Sequence, residues 1–304
     1  MDLQIDQLRT LVAIVDHGTL DAAASELRMT PSAVSQRLKA LESTVGQVLI
    51  RRSRPARTTD AGKVILRVAR QMILLNDDAG LELAGTGTEG VTTIPIVING
   101  DSLNTWALTA LAAVDPELRI AFELHRADEG YSVELLRNGT VMAAVTSVAE
   151  PVPGCSVRRL GTMRYRPMAR PDFVQRWFPD GPSVPALAAA PVVVFDRDDL
   201  LQDRYLRRRT RRRISPPRHY IPVSADYARA IALGLGWGMI PPQQSGELEA
   251  AGDLVEIDPP AHVDVPLYWQ QWKLHTPMLD RVADAMITTA ARELSFTDPT
   301  SRRR

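Results

Sequence analysis

The most constraining feature of the sequence is a pair of short helices joined by a tight turn, within residues 19–45. A threonine precedes each helix as a candidate N-cap, at Thr19 and Thr30, and Pro31 follows at the first position of the second helix. The run Ala22–Ala24 supplies small side chains, which let two helices cross closely without loss of helix propensity. The segment therefore predicts a helix-turn-helix.

The second of these helices has two different faces. Apolar residues recur along it at spacings of four, three and four, namely Val34, Leu38, Leu41 and Val45. Hydroxyl, amide and cationic groups occupy the other face and the N-terminus, as base edges and phosphates of DNA require. The predicted DNA-contacting residues of this helix are Thr30, Pro31, Ser32, Ser35, Gln36 and Lys39. The alternative is an ordinary three-helix bundle with a solvated polar face.

Positive charge is concentrated next to this helix, although the whole chain is neutral, with 36 Lys and Arg against 36 Asp and Glu. Residues 31–57 carry six basic side chains and a single acid, Glu42. The strand-like segment 47–50 leads into a basic turn, a pattern typical of a β-hairpin wing. Four arginines of this wing are predicted to contact DNA phosphates or the minor groove: Arg51, Arg52, Arg54 and Arg57.

A long helical pattern covers residues 60–83 and would span about 36 Å. Such a helix is difficult to bury within one small winged domain, so a second copy of the chain is the natural partner. Its apolar stripe gives the predicted dimerisation residues Val64, Ile65, Val68, Met72 and Leu75. The alternative is packing of this helix against the C-terminal part of the same chain.

Beyond a glycine-rich hinge at 85–91, the pattern changes to alternating strands and helices. Strands are predicted at 93–99, 119–125, 141–146, 163–169, 192–195, 219–223 and 266–272, and helices at 102–114, 130–138, 224–234 and 279–294. This alternation predicts an α/β domain with a ligand cleft.

The motifs of the first sixty residues resemble the winged helix-turn-helix of LysR-type transcriptional regulators. The resemblance rests on the segments 22–24, 30–42 and 45–46, the arginine wing and 58–62. It implies an α/β multi-domain chain: a winged helix-turn-helix at 1–59, a linker and dimerisation helix at 60–84, and a two-subdomain effector domain like a periplasmic binding protein. Effector subdomain I is expected at 92–165 and 271–298, and subdomain II at 166–270.

Polar side chains follow several predicted strands, where helix N-termini gather and ligands bind in α/β folds. The candidate effector-binding residues are Asn99, Asp101, Ser102, Thr105, Asp128, Glu129, Thr146, Asp196 and Ser224. With Asp198 and Asp226 the set is rich in carboxylates, which would select an ammonium or guanidinium group. The alternative is that these residues only cap helices.

Three further segments, 99–106, 234–241 and 267–272, resemble the ArgP/LysG subgroup of this family. The resemblance implies a lysine or arginine effector and control of basic amino-acid export or metabolism genes, as an activator. A different effector, or inhibition of replication initiation, stays open at this point. Expected partners are a pseudo-palindromic double-stranded operator, further copies of the chain in a homodimer or tetramer, and RNA polymerase as a candidate.

An enzyme is the rival from another class, and the sequence lacks its signatures. The five histidines show no metal-ligand spacing, no cofactor is expected, and Gly234–Gly238 follows a helix instead of a strand. Cys155 is expected in an unreactive loop, and the run Arg207–Arg213 in a solvated loop. No apolar run has the length of a membrane span and no signal peptide is apparent, so we expect a cytoplasmic protein without a membrane partner.

Overall fold

The computed structural model describes residues 2–51, 53–84, 91–126, 129–274 and 276–295. Two predicted site residues, Arg52 and Asp128, and the side chain of Glu129 lie outside the described part, as does most of the predicted hinge. The chain forms two compact units. The first comprises Met1–Ile98, Ala113–Arg158 and Trp269–Ala285, and the second Asn99–Ala112, Arg159–Tyr268 and Met286–Arg304.

The first unit begins with a winged helix-turn-helix. Its elements are α1 (Ile5–His17), α2 (Leu20–Glu26), α3 (Pro31–Val45), β1 (Ile50–Arg51), β2 (Arg57–Thr58) and α4 (Asp60–Ala84). The two predicted threonine caps are confirmed: Thr19 Oγ1 accepts the Ala22 amide at 3.1 Å, and Thr30 Oγ1 accepts the Ala33 amide at 3.2 Å. These bonds satisfy amides that the first turn of a helix leaves unpaired.

The core of this domain contains the apolar residues that the helical spacing predicts. Fully or nearly fully buried are Leu8, Leu11, Ile14, Ala23, Val34, Leu38, Leu41, Leu49 and Ile65. Ala23 and Ala24 are buried where α2 packs on its neighbours, which agrees with the predicted close crossing. The polar face of α3 consequently points to solvent.

Helix α4 is covered in part by its own chain. Ile65, Leu66 and Ala69 are buried, and Arg70 forms an ion pair with Asp16 of α1. Further along α4, Asp77 forms a second ion pair with α1, to Arg9 at 2.5 Å.

The α/β part of the first unit also packs on α4. Gly139 has a φ of +79°, and a Cβ built there would lie 2.8 Å from the Cα of Arg67. The turn carrying Gly139 therefore lies directly against the α4 backbone, a contact that only glycine permits. Packing within the chain, the alternative to dimerisation for this helix, therefore covers part of the α4 surface.

The α/β part of the first unit contains a parallel three-stranded arrangement. Strand β3 (Thr92–Ile98) lies between β4 (Ile120–Arg126) and β5 (Ala143–Thr146). The connection from β3 to β4 comprises α5 (Gly100–Ser102), a π-helical turn (Leu103–Ala107), α6 (Leu108–Ala112) and a 3₁₀ turn (Pro116–Leu118). Helix α7 (Glu129–Arg137) connects β4 to β5.

The second unit is built on the long strand β6 (Cys155–Ala169), part of which belongs to the first unit. It continues through α8 (Pro171–Trp177), α9 (Val184–Ala189), β7 (Val192–Val194), α10 (Leu201–Arg209), β8 (Arg218–Tyr220), α11 (Ser224–Ala232), β9 (Gly238–Ile240), α12 (Pro242–Ala250) and β10 (Val255–Glu256). The last elements, β11 (Val263–Trp272) and α13 (Pro277–Glu293), each belong in part to the first unit and in part to the second. Strands β9 and β10 pair antiparallel with β6, and β7 pairs parallel with β8. Its core includes Met168, Val193, Ile231 and Leu254.

The mixed α/β architecture is confirmed, and the predicted tight return at Gly234 is present between α11 and β9. Two local predictions are wrong in part. Cys155 is the first residue of β6 instead of a loop residue, but its burial raises the pKa of the thiol to about 11, which agrees with the expected lack of reactivity. Arg207–Arg209 form the last turn of α10, because Tyr205 and Leu206 bury one face of that helix, whereas Arg211–Arg213 are exposed in the loop that follows, as expected. Within the described residues, no helix is both long and apolar enough for a membrane crossing.

Candidate DNA interface and effector site

The exposed face of α3 carries the residues predicted to contact DNA. Ser32, Gln36 and Lys39 are exposed, and Ser35 is half-buried on the same side. Thr30 and Pro31 are exposed at the helix N-terminus, where Thr30 is also the N-cap. Exposed amide, hydroxyl and ammonium groups on one helix face can donate hydrogen bonds to base edges and phosphates in a major groove.

The wing places like charges opposite each other. Arg51 and Arg57 are paired residues of the antiparallel β1–β2 hairpin, and both are exposed, as is Arg54 in the loop between them. Like charges directly opposite in a hairpin are unfavourable unless an anion lies nearby. Phosphate groups of DNA would relieve this repulsion.

Glu42, the single acid of the basic segment, has a structural role. Its Oε1 accepts the backbone amides of Leu49 at 2.8 Å and Ile50 at 3.4 Å. The carboxylate thereby fixes the first wing strand to α3 and its charge is directed at backbone donors. The arginines of the wing consequently keep their charge for another partner.

Asp101 is the centre of a polar cluster in the second unit. It lies in α5, directly after β3, and its carboxylate accepts three side-chain hydrogen bonds. Tyr165 Oη donates to Oδ2 at 2.7 Å, Ser224 Oγ donates to Oδ1 at 2.7 Å, and Gln244 Nε2 donates to Oδ1 at 3.2 Å. Tyr165 comes from β6, Ser224 from α11 and Gln244 from α12, so three distant segments converge on one carboxylate.

The surroundings of Asp101 hold an excess of hydrogen-bond acceptors. Three buried oxygen atoms have no partner among the described residues: Asn99 Oδ1, Ser102 Oγ and Gln244 Oε1. Leaving a buried polar atom unpaired costs about 1–3 kcal/mol, so such atoms point to a missing donor. A molecule with several N–H groups would satisfy both the carboxylate and these oxygens.

A second carboxylate of the cluster, Asp199, lies near enough to Asp101 for the two charges to interact. It accepts the backbone amides of Phe195 at 3.0 Å and Leu201 at 2.9 Å. Burial raises the pKa of Asp199, and the charge of Asp101 adds to that shift. Burial, with the charge of Asp101, also raises the pKa of Tyr165 well above its usual value, which keeps the phenol a neutral donor.

The remaining predicted effector residues have other roles or positions. Thr105 Oγ1 donates to the backbone oxygen of Asp101 within the helix, and Asp196 accepts the amides of Asp198 and Asp199 in a turn. Thr146 belongs to the first unit, where its Oγ1 accepts the Val148 amide. For Thr105 and Asp196 the geometry fits the helix-capping and turn alternative.

Three members of the cluster were not predicted. Gln244 follows β9, so the rule that found Asp101 and Ser224 could have found it too. Asp199 lies five residues after β7, and the same rule selected Asp196, which is nearer to the strand end. Tyr165 lies inside a strand, and its sequence neighbourhood carries no signal of a site.

Comparisons with known proteins identify the family of both parts of the chain. Residues 5–63 match the bacterial regulatory helix-turn-helix protein of the lysR family, and residues 103–291 match the LysR substrate binding domain. The chain is 42% identical to a lysine export transcriptional regulatory protein, LysG, of Corynebacterium efficiens, over 93% of this chain and 96% of that protein.

Solved structures extend the similarity to the whole fold. The chain is similar to the crystal structure of ArgP from Mycobacterium tuberculosis, with a TM-score of 0.84, 41% identity and coverage of 97% of this chain and all of the other. It is also similar to full-length LysG from Corynebacterium glutamicum with bound effector Arg, at a TM-score of 0.73 and 36% identity, covering 96% of this chain and all of that one.

Proposed function

The chain belongs to the LysR family of bacterial DNA-binding transcriptional regulators, and we propose from this premise that its effector is a basic amino acid, L-arginine or L-lysine. The observation that supports the effector is the carboxylate of Asp101 among unpaired buried oxygens. A LysG relative carries a name that refers to lysine export, and a LysG structure was solved with arginine.

The chemistry of the cluster favours a cation that donates several hydrogen bonds. A guanidinium group offers five N–H donors in a plane and an ammonium group offers three. Either would pair with Asp101 in a charge-assisted bond and could reach the free oxygens of Asn99 and Gln244. An amino acid with a neutral side chain lacks the side-chain cation that would compensate the desolvation of this carboxylate.

The DNA-binding side of the proposal uses α3 and the wing. We infer that α3 enters the major groove and that a dimer formed through α4 reads a pseudo-palindromic operator in the bacterial cytoplasm. The controlled genes would serve export or metabolism of basic amino acids, with RNA polymerase as the further partner. Effector binding would act by favouring one arrangement of the oligomer over another.

Calorimetric titration of the full-length protein tests the effector. L-arginine and L-lysine are expected to bind, whereas L-citrulline, which replaces the guanidinium by a neutral urea group, is not. Asp101→Asn should weaken binding of arginine by about tenfold to a hundredfold, the value of one charge-assisted pair. Asp253→Asn is the matched control, because Asp253 is an exposed carboxylate in the turn after α12 and is not a member of the cluster.

Three results would contradict the proposal. These are equal affinities for citrulline and arginine, no binding of any amino acid, and wild-type affinity of Asp101→Asn for arginine. A thermal unfolding curve of each variant without ligand confirms that the compared proteins are folded.

A further inference from the structure

An arginine-rich surface on the second unit is not used by the proposed effector site. Helix α10 ends at Arg209, and a turn continues the run to residue 213. We define the α10 arginine patch as its five exposed arginines that lack a carboxylate partner within the described chain: Arg207, Arg208, Arg211, Arg212 and Arg213.

The base of this patch is fixed to the rest of the unit. Arg209 pairs with Asp258 at 3.2 Å, and Tyr205 Oη donates to the same carboxylate at 3.0 Å. Arg208 donates to the backbone oxygen of His262, and the Arg212 amide donates to Thr210 Oγ1 at 3.1 Å. The patch therefore combines the anchored end of α10 with an exposed loop, and both present guanidinium groups to solvent.

The local acids do not neutralise the patch. Asp258 is engaged by Arg209 and Tyr205, and Asp203 forms a two-point ion pair with Arg218, at 2.5 and 3.2 Å. Basic residues in the last turn of a helix favour the helix dipole, which accounts for Arg207–Arg209. That effect does not extend to Arg211–Arg213 beyond the helix end, so repulsion among five guanidinium groups is left without a local counter-charge.

We propose that the α10 arginine patch binds phosphate groups of the DNA that the protein holds through its winged helix, outside the operator core. The proposal depends on DNA binding by the N-terminal domain and is independent of the effector. Guanidinium groups pair with phosphates in two-point contacts. DNA is favoured over an acidic protein as the occupant because once one domain is bound, flanking phosphates are present at a high effective concentration.

The test compares the wild type with Arg211→Gln/Arg212→Gln/Arg213→Gln, which leaves α10 intact. Two duplexes are used: an operator selected from random sequences, trimmed to about 20 base pairs or two helical turns, and the same operator with flanks to about 60 base pairs. Affinity is measured by fluorescence anisotropy over a salt series. Each lost phosphate contact lowers the slope of log affinity against log salt by about 0.9.

On the long duplex the slope of the triple variant is expected to be smaller by about two to three, with weaker binding at low salt. On the short duplex the variant and the wild type should agree, which shows that the winged helix still binds. Arg229→Gln/Arg281→Gln/Arg292→Gln is the control, because it removes the same charge from exposed arginines on other helices.

Equal slopes for the triple variant and the wild type on the long duplex would overturn the proposal and direct the search to an acidic protein surface. An equal loss in the control variant would also overturn it, since net charge alone would then explain the effect. Failure of the wild type to bind either duplex would instead contradict DNA binding by the winged helix.

Discussion

At the residue scale, Glu42 shows how a carboxylate inside a DNA-binding surface can be structural. Its Oε1 accepts the amides of Leu49 and Ile50, and Leu49 is fully buried. Without this acceptor the Leu49 amide would be left unpaired in a dry environment. The acid is therefore needed to hold the wing against α3, although it repels phosphate.

Glu42→Ala is predicted to loosen the wing. The lost hydrogen bonds correspond to about 1–3 kcal/mol, so amides 48–51 should exchange with deuterium about five- to a hundredfold faster. Glu26→Ala is the control, because its exposed carboxylate makes only a 3.8 Å contact with His17 and such surface pairs contribute little. Unchanged exchange at 48–51 in Glu42→Ala would show that the carboxylate does not fix the wing.

The polar cluster around Asp101 shows which site residues can be predicted from the sequence alone. Asp101 and Ser224 follow strands, so a general rule of α/β folds predicted them. The same rule also selected Asp196, whose carboxylate accepts amides of its own turn instead. The convergence of Tyr165 and Gln244 on Asp101 depends on tertiary structure across 64 and 143 positions of chain, which no local pattern contains.

At the scale of elements, α3 combines a buried stripe with an exposed polar face. Gln36→Ala and Ser35→Ala are each predicted to weaken binding to the operator by about 1–3 kcal/mol, since a good base contact contributes that amount of discrimination. Binding to unrelated DNA should change far less. Anisotropy titrations with operator and scrambled duplexes measure both, and an equal loss on both would exclude base reading by these residues.

Helix α4 separates two kinds of apolar residue that the sequence pattern had grouped together. Ile65 is buried and Met72 packs against the core of its own winged domain, whereas Val64 is 50% and Leu75 46% exposed. Helical periodicity groups these residues into one apolar stripe. It could not assign each residue to a neighbour, because α1 and the turn at Gly139 occupy part of the helix surface.

Val64→Ser/Leu75→Ser is consequently predicted to weaken self-association while leaving the melting temperature of the protomer nearly unchanged. Ile65→Ala should do the opposite, lowering stability by about 2–4 kcal/mol through a cavity in the domain core. Sedimentation velocity and thermal unfolding distinguish the two effects. If Val64→Ser/Leu75→Ser associates like the wild type, α4 is not the dimer contact.

At the scale of the whole molecule, the order of strands and helices was largely predictable because most elements have clear periodicity and glycine or proline boundaries. Helices α8, α9, α10 and α12 were missed because each is short, and α8, α9 and α12 carry a proline at the first or second position, near a turn. The predicted subdomain boundary at 165/166 stays a prediction. Strand β6 runs without interruption from Cys155 to Ala169, so nothing in its sequence marks where one subdomain would end.

The central claim is that a basic amino acid changes how this regulator binds its operator. A DNase I footprint of the full-length protein, with and without L-arginine, tests it most directly. We predict that arginine changes the length or pattern of protection for the wild type, that citrulline does not, and that Asp101→Asn gives the arginine-free footprint under all conditions. The same wild-type footprint with and without arginine or lysine would contradict the account.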